Sequence, residues 1–503
     1  MTGLDRREFL AAAAGGVLAG VVPLDVAASE TAGATLGRRA ARALRAAVRG
    51  RVYLPRTPGY NAARLVYNTR YDGTRPEAVV RPVDTRDVAA LVRWANRFDE
   101  RLVARSGGHS YAGYSTTARG VVVDLSRVSG VRVANGRASV GAGTQLIDLY
   151  AALARRGLVV PGGSCPSVGI AGLALGGGHG LSGRRFGLTS DNLVAATIVT
   201  ADGRVRHISA GREEDLYWAC RGGGGGNFGI VTSLTFQAHR ARGAAWFFIS
   251  WPWGAASEAF DAWQRLAPHA PPALTSIFSL ATTGGSGPPR VSASGQFFGS
   301  EAALRRLIRP LTRVGGARLS TGRSSMMALA LRWAGCVDEG VRACHTRGTR
   351  PGGRMPREAF YAKSDYFGRP LPPRARRRMI QWVERRQRTP SLGAGALLFD
   401  AYGGAYNRPA ADATAFVHRD MLFSLQYYAA GGPAGASRAW ANGVRRALRP
   451  FASGQAYQNY IDPDLGGWQR AYYGSNLPRL RDIKQRYDPD FRFRFAQAIP
   501  PAG

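Results

Sequence analysis

Two side chains with nucleophilic chemistry, His109 and Cys165, stand in separate glycine-rich stretches of the chain. The first reads Arg105-Ser106-Gly107-Gly108-His109-Ser110-Tyr111-Ala112-Gly113-Tyr114 and follows a short apolar run. Consecutive small residues after a strand let backbone N–H groups approach a pyrophosphate without side-chain obstruction. The pattern is not a Rossmann fingerprint, which needs Gly-x-Gly-x-x-Gly opening directly into a helix. Taken alone it reads equally as a surface turn. Two further close-approach loops follow, however: Pro161-Gly162-Gly163-Ser164-Cys165-Pro166-Ser167-Val168-Gly169-Ile170-Ala171-Gly172 and Gly176-Gly177-Gly178-His179-Gly180. His109 and Cys165 are then either reactive groups beside a phosphate-bearing ligand or a core histidine and a buried thiol.

The elements that must position these loops alternate strand and helix. Strand patterns at 78–82 and 101–105 flank a helical pattern at 85–96, and 121–125 is another strand. Residues 35–65 are arginine-rich and helical in character, and 144–156 has helical periodicity. A hairpin is predicted from 195–200 and 205–208 around Asp202-Gly203. A strand at 228–236 ends this part of the chain. Beyond it the composition shifts to apolar strands, 246–251 and 277–282, interleaved with arginine-bearing helices such as 301–314. That mixture predicts a second, α+β lobe whose last strands are 396–402 and 421–428, followed by a helix at 437–451. A helix at 477–487 belongs to a C-terminal piece expected to return to the first lobe.

The 503 residues carry 68 Lys+Arg against 33 Asp+Glu, a formal charge of +35. Such a balance suits nucleic acid or an anionic surface, but nearly all of it is scattered arginine, with Lys363 and Lys484 the only lysines. No nucleic-acid-binding motif accompanies the charge, so no nucleic-acid partner is expected. Asp5-Arg6-Arg7-Glu8-Phe9-Leu10 and the apolar run after it resemble a twin-arginine export signal over residues 1–30. The run is too short for a membrane span, and none is expected elsewhere. Export predicts a secreted or cell-envelope protein already folded with its cofactor. An oxidising destination permits a disulfide, and Cys336 and Cys344 are close enough to pair, while Cys220 reads as a buried thiol. The histidines show no metal-ligand spacing, so no metal is expected.

The ordered pair Arg-Ser-Gly-Gly-His and Gly-Gly-Ser-Cys-Pro-Ser-Val-Gly resembles the FAD domain of the vanillyl-alcohol oxidase superfamily, in its berberine bridge enzyme-like branch. The C-terminal run Tyr457-Gln458-Asn459-Tyr460-Ile461-Asp462, then Trp468, Tyr472-Tyr473-Gly474-Ser475-Asn476 and Tyr487-Asp488-Pro489, resembles the C-terminal signature of that branch. The resemblance implies a two-lobed α+β fold: an FAD-binding domain at 31–240, a substrate-binding domain at 241–450, and a C-terminal segment at 451–503 completing the FAD domain. It implies FAD bonded through both His109 and Cys165. Cofactor contacts are expected from Arg105, Ser106, Gly107, Gly108, Ser110, Gly163, Ser164, Val168, Gly169, Gly172, Gly176, Gly177, His179, Gly229, Ile230, Asn459 and Asn476. His179 is expected near the cofactor phosphates or in a structural role.

Relatives of this kind oxidise alcohols with a tyrosine base, and the Asn-Tyr pair carries that role to Tyr460. A free tyrosine is a poor base at neutral pH, so cations or a hydrogen-bonded partner must lower its pKa. Asp400 and Tyr402 fall on one side of their predicted strand. Asp400 is expected to orient Tyr460 or bind a substrate hydroxyl, or else to be a solvated strand-end carboxylate. Leu425 aligns where berberine bridge enzyme has its catalytic glutamate, which argues against carbon–carbon bond formation. Val168 is compatible with oxygen reaching the flavin. The implied function is an oxidase acting on a carbohydrate or a bulky glycosylated or aromatic alcohol, with O2 as acceptor and H2O2 as product. A flavin dehydrogenase using another acceptor, or a non-catalytic secreted binding protein, are the alternatives.

Overall fold

The computed structural model describes residues 35–283, 287–350 and 352–503. The twin-arginine stretch therefore lies outside the described residues. Helix Thr85–Phe98 shows how local sequence builds the first lobe. The Asp84 carboxylate caps its N-terminus by accepting from the Arg86 and Asp87 amides, and Asp99 ends it in a left-handed conformation at φ 54°. Its apolar side, including Leu91, Val92 and Trp94, is buried against strands on either side in sequence.

Those strands form two small sheets. Four strands run in the order Arg51–Tyr53, Ala78–Arg81, Val121–Asp124, Leu102–Arg105, with the last three parallel. Five antiparallel strands run Val131–Ala134, Arg137–Gly141, Ile230–Gln237, Leu193–Val199, Val205–Ser209, and the last pair is the predicted hairpin. Residues 35–65 are not one helical unit. Helix Arg38–Ala47 stops, and Gly50 passes so close to the neighbouring strand that a Cβ there would stand 2.1 Å from the Arg81 carbonyl oxygen. That approach lets Arg51–Tyr53 pair as an edge strand. The predicted helix at 301–314 is likewise divided, into Glu301–Leu307 and Arg309–Thr312, because Pro310 has no N–H to continue the ladder.

The second lobe is a seven-stranded antiparallel sheet in the order Arg318–Ser325, Gly243–Trp251, Arg290–Phe297, Leu274–Ala281, Ala394–Ala401, Phe423–Ala430, Phe360–Phe367. Helices Ala256–Leu266, Pro373–Gln387 and Ala434–Leu448 cover one face and close an apolar core on it. The other face looks toward the first lobe. Cys336 and Cys344 form a disulfide beside this sheet, and Cys220 is a buried thiol pushed up to about 12 by desolvation.

After the second lobe the chain comes back. Ala456, Leu465, Ala471, Tyr472, Leu480, Ile483 and Ile499 join the first lobe's apolar core. Helix Leu477–Tyr487 pins this return with the fully buried Lys484, whose ammonium meets Asp488 and donates to the carbonyls of Asn227 and Phe493. Lys484→Ala leaves Asp488 buried without its cation, so a loss of about 3–5 kcal/mol is expected, read as a lowered thermal midpoint with the parent as reference.

Candidate active site

A cavity of about 1030 Å³ lies between the bare face of the seven-stranded sheet and the glycine loops of the first lobe. Strand alternation decides which side chains reach it. Ala396, Leu398 and Asp400 line the cavity from one strand, and Gln426 and Tyr428 from its neighbour, while Leu397, Phe399, Leu425 and Tyr427 enter the helix-backed core. Leu398 pairs in register with Gln426 and Phe399 with Leu425, so both strands agree. Leu425 therefore points into the core, and the cavity-facing residue on this strand is Gln426, one place on.

Gly107, Gly108, His109 and Ser110 form one side of the cavity, and Gly163, Ser164, Cys165, Val168, Gly169 and Gly172 another. The two loops touch back to back: a Cβ on Gly107 would stand 2.2 Å from the Gly169 nitrogen. Ser106 fixes the contact by donating to the Ala142 carbonyl. A third glycine run, Gly224-Gly225-Gly226, faces Gly172 across a passage. A Cβ on Gly225 would come no nearer than 3.8 Å to Gly172 Cα, and one on Gly172 would meet nothing within 4 Å. That space, walled by backbone and narrowed by any side chain, fits an extended dinucleotide.

His109 stacks on Tyr67 at 4.1 Å and 18°, and its Nε2 lies 3.0 Å from Ser167 Oγ. Burial pushes it down to about 3, so the imidazole is neutral and nucleophilic. Cys165 faces the same cavity with its sulfur outside any disulfide.

The same cavity has a polar, aromatic wall. Tyr460 Oη is 3.0 Å from His179 Nε2, and its ring stacks on Tyr111 at 5.1 Å and 7°. Gln426 donates to Tyr111 Oη at 2.8 Å. Tyr457 Oη accepts from the Gly178 amide and from Asn459, each at 2.8 Å, which seats the C-terminal turn on the Gly176-Gly177-Gly178 loop. The Asp400 carboxylate makes no hydrogen bond or ion pair among the described residues, and burial alone pushes it up to about 7. Tyr460 is held well above the ordinary tyrosine range by burial, with the Tyr111 and Asp400 charges adding to it. His179 is pushed down to about 4 by desolvation.

Several expected site residues are elsewhere. Arg105 is buried in an ion pair with Asp124, which holds the first glycine loop from behind. Gly176 and Gly177 are packing glycines, where a Cβ would meet Asn459 at 2.1 Å and Phe416 at 2.9 Å. Ile230 is core, behind the cavity-lining Gly229. Asn476 donates to the carbonyls of Ala411 and Thr414 as a structural tie. Tyr402 is one layer back, its hydroxyl 2.9 Å from that of Tyr366, because the strand ends at Ala401 and the chain turns away. His179 stands on the tyrosine wall. Among the described residues no cation lowers Tyr460, whose hydroxyl lies against the neutral His179. Tyr67, Tyr111 and Gln426 were missed by motif reading, although Tyr111 follows His109 by two residues and strand alternation marks Gln426 once its register is known.

Residues 76–209 match the FAD binding domain family, and residues 456–500 match the family described as berberine and berberine like. The uncharacterized FAD-linked oxidoreductase YgaK of Bacillus subtilis is 34% identical over 463 residues, covering 90% of this chain and 97% of that protein. BBE-like 1 of Physcomitrella patens superposes with a TM-score of 0.84 at 31% identity, covering 92% of this chain and 99% of that one. The xylooligosaccharide oxidase of Myceliophthora thermophila, solved with xylobiose, gives a TM-score of 0.81 at 26% identity, with 92% and 99% covered. With its two-domain FAD-binding α+β fold and this cavity, the chain belongs to the berberine bridge enzyme-like FAD-linked oxidoreductases of the p-cresol methylhydroxylase/vanillyl-alcohol oxidase superfamily.

Proposed function

We propose that this protein is an exported oxidase that carries FAD on both His109 and Cys165 and converts an alcohol and O2 into a carbonyl compound and H2O2. The observation that carries this reading is one cavity lined by both nucleophiles and by Asp400, Tyr460 and Gln426. FAD bound there supplies the two-electron acceptor. The neutral His109 and the Cys165 sulfur offer the two attachment points, and Nε2 of His109, engaged by Ser167, leaves Nδ1 for bonding. Export rests on the twin-arginine pattern of residues 5–10.

The alcohol gives up two protons and two electrons, and one proton is the hydroxyl's. Tyr460 is a poor acceptor for it, being held protonated by burial without a neighbouring cation. Asp400 is poised near neutrality and is open on the cavity side, which makes it the general base. Tyr460 holds the substrate hydroxyl by hydrogen bonding, with His179 fixing the direction of its own. Gln426 and Tyr111 extend the same polar wall. The strand presents Gln426 to the cavity, and glutamine is no base, so berberine-type ring closure stays disfavoured.

The substrate class we favour is an oligosaccharide or a bulky glycosylated alcohol. A wide cavity edged with phenolic and carboxamide groups suits a sugar, and structurally similar proteins include a xylooligosaccharide oxidase. Peroxide release across a panel of mono- and oligosaccharides and aromatic alcohols tests the reading, with Tyr460→Phe as control. The variant is expected to raise KM and to lower kcat by about tenfold through loss of one substrate hydrogen bond. Full activity in Tyr460→Phe, or no peroxide from any saccharide, contradicts it.

A further inference from the structure

A second, much smaller cavity of about 50 Å³ stands beside the first, on the far side of the loop that carries Cys165. Gly163, Ser164, Leu181 and Trp333 wall both cavities, so the two spaces adjoin along these residues. Most of the rest of its inner wall is apolar, with Leu153, Val160 and Leu329 all buried, beside the polar Tyr150, Ser182 and Gln296. Toward the outside the wall is made by the half-buried Leu158, Met326 and Ala330.

The few polar groups in this wall are spent on one another. Trp333 donates its indole N–H to Gln296 Oε1 at 2.9 Å, and Gln296 donates in turn to Ser182 Oγ at 3.1 Å. Tyr150 donates its hydroxyl to the Gly163 carbonyl at 2.7 Å. A water needs two to four polar partners to be held, and an apolar space without them stays dry and accepts small apolar molecules such as xenon. The volume holds one atom or diatomic of that kind and excludes a sugar.

We infer that this side cavity is an entry site for dioxygen, delivering it through the Ser164–Trp333 partition while the large cavity is filled by substrate or product. The inference rests on the oxidase reading above. Dioxygen is small, neutral and apolar, which suits this lining, and the partition stands beside Cys165, where FAD is proposed to be held. A bulky oligosaccharide in the large cavity would obstruct a shared route, and a separate one removes that conflict.

Crystals of the holoprotein pressurised with xenon, and stopped-flow reoxidation by O2, test this together. Xenon is expected between Leu153, Leu181 and Trp333 in the parent and absent from Ala330→Phe, with Ala330→Leu as a milder filling should the larger side chain impair folding. Ala330 does not line the large cavity. Reoxidation by O2 is expected to slow by roughly fivefold or more in the phenylalanine variant, as for any narrowed encounter route, while anaerobic reduction by substrate and reoxidation by a soluble dye stay as in the parent. Xenon only in the large cavity, or unchanged reoxidation in a variant that has lost the xenon site, overturns the entry site. A parent that reoxidises with dye and not with O2 overturns the oxidase reading instead.

Discussion

Asp400→Asn is expected to lower kcat by about 10²–10⁴-fold, the range for loss of a positioned general base, with KM changed much less. The substitution keeps the shape and removes only the basicity. In the parent, burial pushes Asp400 up to about 7, so the fraction able to accept a proton grows with pH. Activity is therefore expected to rise through about pH 7 and level off above it, and the residual activity of the variant is expected to lose that rise. The same shift fixes a stability effect of definite sign. Below about pH 4, near the unfolded carboxylate value, both states are protonated and Asp400 costs nothing. Between about pH 4 and 7 the folded protein keeps a proton that the unfolded chain releases, so the cost of the buried charge grows and is complete above about 7. Asp400→Asn is thus expected to match the parent in thermal midpoint at low pH and to exceed it in alkaline buffer. A variant with parental kcat, or a pH profile unaltered by the substitution, would remove Asp400 from the role of base.

The second large effect belongs to the anchors. Acid precipitation of the parent is expected to leave the yellow colour in the pellet, and the pellet of His109→Ala/Cys165→Ala is expected to be colourless. Each single variant keeps one bond and is expected to keep its colour. The double variant still has the glycine passage by Gly172 and Gly225, so it is expected to bind FAD reversibly and to lose it on denaturation or dilution. Its kcat is expected to fall along with that occupancy, and added FAD restores part of it. Cys165→Ala leaves Tyr67, Ser167 and the fold around His109 in place, which makes it the cleaner single variant.

The loops were the legible part of this sequence because glycine spacing and backbone approach are local properties. Gly107 and Gly169 meet as close-approach glycines, and His109 and Cys165 line one cavity. Helix Leu477–Tyr487 and the hairpin around Asp202 are likewise fixed by nearby residues. The other wall depends on long-range register. Whether Leu425 or Gln426 faces the ligand turns on a one-residue slip in strand pairing, and strand periodicity reads the alternation without its phase. Tyr402, predicted on the same side as Asp400, lies past the strand end, where alternation no longer applies. A base at Tyr460 needs a cation or partner to lower it, and only the fold shows that its neighbour is a neutral histidine while the unpaired carboxylate of Asp400 is poised near neutrality. Arg105 and Asn476 sit in motifs and serve as struts, a distinction that burial and partners make and spacing does not.

The most direct measurement of the proposed cofactor chemistry is the intact mass of the chain after denaturation. A parent chain heavier by one FAD, a Cys165→Ala chain still heavier by one FAD, and a His109→Ala/Cys165→Ala chain at the bare polypeptide mass are the expected results. A parent chain at the bare mass, with the flavin recovered free in solution, would contradict the assignment of His109 and Cys165 as covalent anchors.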